Sequence, residues 1–164
     1  MSDTTINRLS AAVRKKIDAW MQRYPVDQKR SAVIEALRYA QEDNDNWLSI
    51  EVMDAVAAYL DMPNIAVYEV ATFYTMFNRA PVAKHVIEVC TNISCLLRDC
   101  DKIVDHLKNR LHINFNESTA DGKFALREVE CLAACKAAPM FQIGKKYYEH
   151  LTPEKVDTIL DALE

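Results

Sequence analysis

The sequence contains very little glycine, 2 residues in 164, and only 5 prolines. This scarcity excludes collagen-like and low-complexity linker sequences and favours long regular elements. Half of the residues are hydrophobic and 27% are charged, which is typical of a folded globular protein rather than a disordered one. We therefore expect a packed, helix-rich core that buries roughly 70% of the surface of the unfolded chain.

Long apolar runs and an excess of basic charge are also missing. No stretch approaches the ~18 apolar residues that a membrane-spanning helix needs, and the first twenty residues lack the features of a secretory signal. The net charge of −4 is shared between the two halves of the chain, so neither half is suited to a polyanion. We expect a soluble cytoplasmic protein that binds no nucleic acid and does not insert into a membrane.

The first half of the chain has the periodicity of helices. Hydrophobic residues recur every three or four positions, Pro25 ends the first such run, and Ser49 is a suitable N-cap for the third. We expect residues 1–83 to form a helical bundle, with its apolar and aromatic fourth helix serving domain packing and partner contact. The predicted helices cover residues 6–24, 29–41, 50–60 and 65–77.

The second half alternates between strand and helix patterns. Asp121-Gly122 marks a turn, Gly144-Lys145 could close a tight hairpin, and Thr152 caps a helix that Pro153 begins. These signals predict an α+β (α/β) fold in which residues 84–164 pack helices on a mixed sheet. The predicted elements are a strand at 85–89, a helix at 97–112, a strand at 123–130, a hairpin of 140–143 with 146–150, and a helix at 153–164.

Four of the five cysteines form two close pairs. Cys90 and Cys95 are spaced C-x4-C at the end of the first predicted strand, and Cys131 and Cys135 are spaced C-x3-C at the end of another. In a reducing compartment, such pairs indicate metal or redox chemistry more often than structural disulfides. Strands that end on the same edge of a sheet could bring the four thiolates to one inorganic centre.

The spacing of the pairs bears on the kind of centre. Structural zinc sites usually use C-x2-C, which neither pair has. A [2Fe-2S] cluster contains two irons that each need two thiolates, and wider loops can wrap around it. The spacing therefore favours iron–sulfur, while a zinc-stabilised binding module and plainly buried cysteines remain alternatives. Cys100 has no close partner in the sequence, so we interpret it as a core residue.

Four segments, in order, carry a specific resemblance to a known family: "EVATFYTMF", "EVCTNISCLLRDC", "ECLAACKAAPMF" and "YYEHLTPEKVDTIL". The chain resembles the thioredoxin-like [2Fe-2S] ferredoxins, the family of the E subunit of NADH-quinone oxidoreductase (respiratory complex I). The resemblance implies a helical bundle followed by a thioredoxin-like domain. It also implies one [2Fe-2S] cluster, with Cys90 and Cys95 binding one iron and Cys131 and Cys135 the other.

The same resemblance implies partners and a location. The chain would be a redox subunit, without catalytic residues of its own, of a proton-translocating NADH-quinone oxidoreductase. It would exchange single electrons with the FMN of the NADH-binding flavoprotein subunit. Together with this and other peripheral-arm subunits, it would lie on the inner face of the bacterial plasma membrane. A diaphorase-module subunit of an NAD-linked hydrogenase or formate dehydrogenase is the alternative within the resemblance.

Two positions near the cysteines depart from the resemblance, and a third position agrees with it. The family commonly has glycine where this sequence has Asp99 and Ala133, and glycine tolerates positive φ. Pro139 stands where thioredoxin-like folds typically place a cis-proline, and an ordinary trans turn proline is the alternative.

Charge disfavours the interpretation of residues 47–79 as a DNA-binding helix-turn-helix. The segment contains four acidic residues and one basic residue, a balance of −3, whereas contacts to phosphates need basic side chains.

Overall fold

The chain divides into two compact units between Val82 and Ala83. The computed structural model describes residues 3–163, and each unit within that range has its own hydrophobic core. The first unit is helical, and the second is built on a five-stranded sheet. Among residues 3–163, no helix combines the length and the apolar character that crossing a membrane requires.

The helical unit buries the apolar faces of its longer helices against one another. Its most enclosed side chains include Ile17, Leu37 and Val56, which are all at most 1% exposed. These three lie on different helices, so the core is shared by the whole bundle. The elements are α1 (Asp3–Ile6), α2 (Ala11–Met21), a 3₁₀ helix (Val26–Ala32), α3 (Val33–Asp43), α4 (Ile50–Leu60) and α5 (Asn64–Phe73).

Helix α4 confirms its prediction, whereas the other predicted helices of this unit need correction. The Oγ atom of Ser49 accepts a hydrogen bond from the N–H of Val52 at 3.3 Å, as expected of an N-cap. The predicted first helix is interrupted before Ala11, because Ser10 adopts an extended conformation and caps a new helix. The start of the predicted second helix is 3₁₀, and α5 ends at Phe73 because Tyr74 is extended.

The second unit contains a mixed sheet with strand order β2-β3-β1-β4-β5. Strand β1 runs parallel to β3 and antiparallel to β4. Helices α7 and α8 share a buried core with one face of the sheet, at Ile87, Leu107 and Val156. The elements are β1 (His85–Cys90), α6 (Ile93–Leu96), α7 (Cys100–Leu111), β2 (Glu117–Ser118), β3 (Phe124–Val129), β4 (Phe141–Ile143), β5 (Lys146–Tyr148) and α8 (Pro153–Asp161), with a 3₁₀ turn at Cys135–Ala137.

The predicted fold class is confirmed. The β4–β5 hairpin turns at Gly144, whose φ is +59°, and α8 begins at Pro153 with Thr152 accepting a hydrogen bond from the N–H of Lys155. The predicted end of that helix, Glu164, lies outside the described residues. The short elements β2 and α6 were not predicted, and the helix predicted from residue 97 begins at Cys100.

Candidate metal centre

The two cysteine loops leave the sheet at the same edge. Strands β1 and β3 are parallel and adjacent, and their last residues, Cys90 and Val129, are paired in the register. Cys131 follows only two residues after Val129. The common edge that the strand pattern led us to expect is therefore confirmed, and both loops begin side by side.

The first cysteine pair is buried. Cys90 is 4% exposed at the end of β1, and Cys95 is 2% exposed in α6. The N-cap of α6 is Asn92, whose Oδ1 accepts a hydrogen bond from the N–H of Ile93 and whose carbonyl accepts one from the N–H of Cys95, both at 2.8 Å. These bonds form a tight turn between the two cysteines, and the Cys95 thiol contacts the Cys90 thiol.

The second cysteine pair is exposed. Cys131 and Cys135 lie in the segment between β3 and β4, where Cys135 begins the 3₁₀ turn. Between them, Ala133 has a φ of +58°, and its N–H donates a hydrogen bond to Cys131 Sγ at 3.3 Å. The Sγ of Cys90 lies 3.9 Å from the carbonyl oxygen of Glu130, so the two loops touch.

The structure brings part of the predicted ligand set together. Within residues 3–163, no three histidine, cysteine, aspartate or glutamate side chains surround a common point as metal ligands would. Cys90 contacts Cys95, while Cys131 and Cys135 form a separate, exposed pair on the neighbouring loop. The donor set nevertheless fits an iron–sulfur group, because four soft sulfur ligands stand on two adjacent loops. That all four bind one centre stays a prediction.

Two of the buried thiols, Cys95 and Cys100, are held in their neutral form. Burial raises the pKa of Cys95 to about 12, and the neighbouring Cys90 thiol adds to this shift. Burial and a contact with the Asp101 carboxylate raise the pKa of Cys100 to about 11. Because metals bind the thiolate, a metal entering this pocket has to displace protons.

Sequence reasoning missed the position of Cys100. It is 2% exposed at the start of α7, which agrees with a core role, yet it packs in one buried cluster with Cys90 and Cys95. Ala138 and Met140 complete that cluster. The available signal was its position at the start of the helix that directly follows Cys95.

Hydrogen bonds connect the backbone around the second cysteine pair to other parts of the second unit. The Ala138–Pro139 peptide bond is cis, as the resemblance to thioredoxin-like folds led us to expect. The N–H of His150 donates to the carbonyl of Ala137 at 2.8 Å, and the N–H of Leu151 donates to that of Pro139 at 3.0 Å. Tyr147 of β5 adds a contact that the sequence did not predict, donating its hydroxyl to a carbonyl between the two cysteines.

The two positions where the resemblance leads one to expect glycine share a conformation. Ala133 has a φ of +58° and Asp99 a φ of +62°, both in the left-handed region. Glycine reaches this region without a steric penalty. The structure therefore keeps a glycine-like backbone at both positions although the side chains differ.

Comparisons with known proteins show the family of the chain. The family model for the thioredoxin-like [2Fe-2S] ferredoxins matches residues 17–164. The E subunit of NADH-quinone oxidoreductase from Rickettsia bellii is 49% identical over 143 residues, which are 87% of this chain and 86% of that protein. The mitochondrial NADH dehydrogenase [ubiquinone] flavoprotein 2 of Dictyostelium discoideum is 40% identical over 91% of this chain and 60% of its own length.

Solved structures support the fold. The crystal structure of an NAD⁺-reducing [NiFe]-hydrogenase in the H2-reduced state matches with a TM-score of 0.70 at 18% identity. The match covers 80% of this chain but only 22% of the hydrogenase chain. At this identity the likeness concerns the fold alone.

Proposed function

Because the chain belongs to the thioredoxin-like [2Fe-2S] ferredoxin family, we propose that it is the electron-transfer subunit of an NADH-quinone oxidoreductase. The observation that carries the proposal is the pair of cysteine loops at one edge of the parallel β1–β3 pair. Relatives that align with most of the chain are named as subunits of such oxidoreductases. The chain would then serve an enzyme complex without holding a catalytic residue itself.

In this proposal, Cys90, Cys95, Cys131 and Cys135 hold one [2Fe-2S] cluster, with each pair on one iron. When bound, the cluster supplies one-electron transfer. The residues of the chain shape its surroundings: Ala138 and Met140 pack around the buried pair and exclude water from that side. Because low polarity disfavours added charge, this packing disfavours the reduced state, whereas N–H groups that point at sulfur favour it.

The exposed second pair suggests how electrons reach the chain. Cys131 and Cys135 lie at the surface, and on the adjacent first cysteine loop Ile93 and Leu97 are exposed to 69% and 81%. Exposed apolar side chains that form a contiguous patch typically mark contact surfaces. We therefore assign this side of the second unit to the FMN-containing, NADH-binding flavoprotein subunit, which would exchange single electrons with the cluster.

The helical unit is proposed as a second contact region. Phe73 at the end of α5 is 78% exposed and Met76 is 44% exposed, while Phe77 is buried at 6%. Phe73 therefore lies outside the buried core of the helical unit. Through the flavoprotein and other peripheral-arm subunits, the chain would lie at the inner face of the bacterial plasma membrane.

The deciding experiment measures the cluster. Full-length chain, purified without chelator and reconstituted under anaerobic conditions, is expected to contain about two irons and two acid-labile sulfides, with an EPR signal after dithionite reduction. Cys131→Ser is expected to lose most of this iron, and Cys100→Ser, the matched control, to keep it. Stoichiometric zinc without visible absorbance would instead support a zinc-stabilised binding module and overturn the proposal.

A further inference from the structure

A hydrogen bond links strand β5 to the middle of the second cysteine loop. The hydroxyl of Tyr147 donates to the carbonyl oxygen of Leu132 at 2.8 Å, between residues 15 positions apart in the chain. Tyr147 stands opposite Gln142 in the β4–β5 hairpin, which fixes its backbone. Since its side chain is 45% exposed, the ring contributes only part of its surface to packing, and the hydroxyl bond is its specific contact with the loop.

The carbonyl that Tyr147 binds belongs to the same peptide group as the N–H that reaches Cys131. The Leu132–Ala133 peptide carries the Leu132 carbonyl on one side and the Ala133 N–H on the other. The group is planar, and in the trans form its C=O and N–H point in opposite directions. Fixing the carbonyl therefore fixes the direction of the N–H, which donates to Cys131 Sγ at 3.3 Å.

The bond also strengthens the N–H as a donor. Hydrogen bonds in a chain polarise one another, so a peptide whose carbonyl accepts a bond donates a stronger one through its N–H. Here the chain runs from the Tyr147 hydroxyl through one peptide to Cys131 Sγ. Hydrogen bonds to the sulfurs are among the features that set the potential of an iron–sulfur cluster, because reduction adds negative charge that they stabilise.

We propose that Tyr147 is a positioning residue for the centre: it orients and polarises the Leu132–Ala133 peptide, so that the Ala133 N–H raises the reduction potential through Cys131. This inference rests on the proposed function, since Cys131 is taken as a ligand. Tyr147 is not itself a ligand. It acts only through the peptide.

The first test compares Tyr147→Phe with Tyr148→Phe in the full chain carrying its cluster. Tyr148 is the matched control, because it is the next residue on β5 and its ring packs on Phe141 with centroids 5.3 Å apart. Removing one neutral hydrogen bond is expected to lower the ratio of reduced to oxidised cluster at a fixed potential by roughly two- to tenfold. Redox titration followed by EPR should therefore show a more negative midpoint for Tyr147→Phe alone.

The second test needs no cluster. In the cluster-free full chain, the Ala133 amide should exchange with solvent several-fold faster in Tyr147→Phe than in the wild type or in Tyr148→Phe. NMR-detected hydrogen exchange measures this rate at the single amide. Unchanged exchange at Ala133 would mean that the hydroxyl does not hold the peptide, and the proposal would be wrong.

A third variant protects the test against misfolding of Tyr147→Phe. Replacing Tyr147 by 3-fluorotyrosine keeps the ring and makes the phenol a stronger donor, at a pH well below the pKa of the fluorinated phenol. The midpoint should then move to a more positive value, opposite to the change in Tyr147→Phe. If the wild-type chain assembles a cluster and neither change at position 147 shifts the midpoint from the wild-type value, this inference alone would be overturned. A wild-type chain that assembles no cluster would overturn the proposed function itself.

Discussion

At the scale of single residues, Ala133 carries an avoidable conformational cost. Its φ of +58° lies in the left-handed region, where the Cβ of an L-residue is crowded by roughly 1–2 kcal/mol. Glycine removes this crowding but loses more conformational freedom on folding, by roughly 0.5–1 kcal/mol. Ala133→Gly is therefore expected to raise the free energy of unfolding by about 0.5–1 kcal/mol, as measured by urea denaturation of the cluster-free chain.

The neighbouring residue provides the control for this prediction. Ala134 has a φ of −109°, outside the left-handed region, so Ala134→Gly should lower the free energy of unfolding instead. Opposite signs for adjacent Ala→Gly changes would locate the effect in the left-handed conformation of Ala133. Equal destabilisation by both changes would show that the φ of Ala133 costs nothing in solution.

Asp99 shows why such positions cannot be weighed from residue type alone. Its φ of +62° resembles that of Ala133, yet aspartate visits the left-handed region more readily than alanine does. Asp99 also pairs with Lys102 at 3.1 Å, although both side chains are largely exposed. The sequence marked both positions as unusual, but only the backbone angles show that both adopt the left-handed conformation, at a lower cost for Asp99 than for Ala133.

At the scale of elements, helix α4 begins with an N-cap that can be identified from the sequence. Ser49 accepts a hydrogen bond from the N–H of Val52, one of the amides that the first turn leaves without a partner. Ser49→Ala is expected to lower the free energy of unfolding by about 1 kcal/mol, whereas Ser49→Asn, which keeps an acceptor, should stay close to the wild type. Urea titrations followed by circular dichroism at 222 nm measure the difference between the two variants.

The same titrations can contradict the prediction. If Ser49→Ala unfolds at the wild-type urea concentration, the cap does not contribute to stability. If Ser49→Asn is destabilised as strongly as Ser49→Ala, the serine hydroxyl has a role other than as a hydrogen-bond acceptor. Either result would remove the energetic basis for assigning this helix start from sequence.

Elements were predictable where a local signal marks their ends, and less so elsewhere. Ser49, Gly144 and Thr152 each mark a boundary that the structure contains. Ser10 has the same capping chemistry, but the apolar repeat continues on both sides of it and hides the break. Strand β2 has only two residues, Glu117–Ser118, which is too short for any periodicity to appear.

At the scale of the whole molecule, the sequence indicated the edge of the site but not its internal contacts. Parallel strands place their carboxyl ends together, so the approach of the Cys90 and Cys131 loops follows from the order of elements. The Tyr147 contact depends instead on the register of the β4–β5 hairpin and on the path of an irregular loop. Neither leaves a local pattern in the sequence.

The division of the chain leads to a prediction about its second unit. All five cysteines lie within residues 83–164, and this unit has a core of its own that includes Ile87, Leu126 and Phe141, each fully buried. A domain of this size is only marginally stable alone, but a bound metal group adds its binding free energy to folding. We expect the separate 83–164 fragment to fold and to take up iron and sulfide as the full chain does, whereas the 1–82 fragment takes up none.

Iron and sulfide analysis, EPR and near-UV circular dichroism on both fragments and on the full chain check this expectation. The 1–82 fragment contains no cysteine and controls for iron that adheres without ligands. An 83–164 fragment that folds but takes up no iron, when the full chain does so in parallel, would show that the site needs groups outside its own unit. A fragment that stays unfolded with iron and sulfide present would show that the second core is not self-sufficient, and that the two units fold as one.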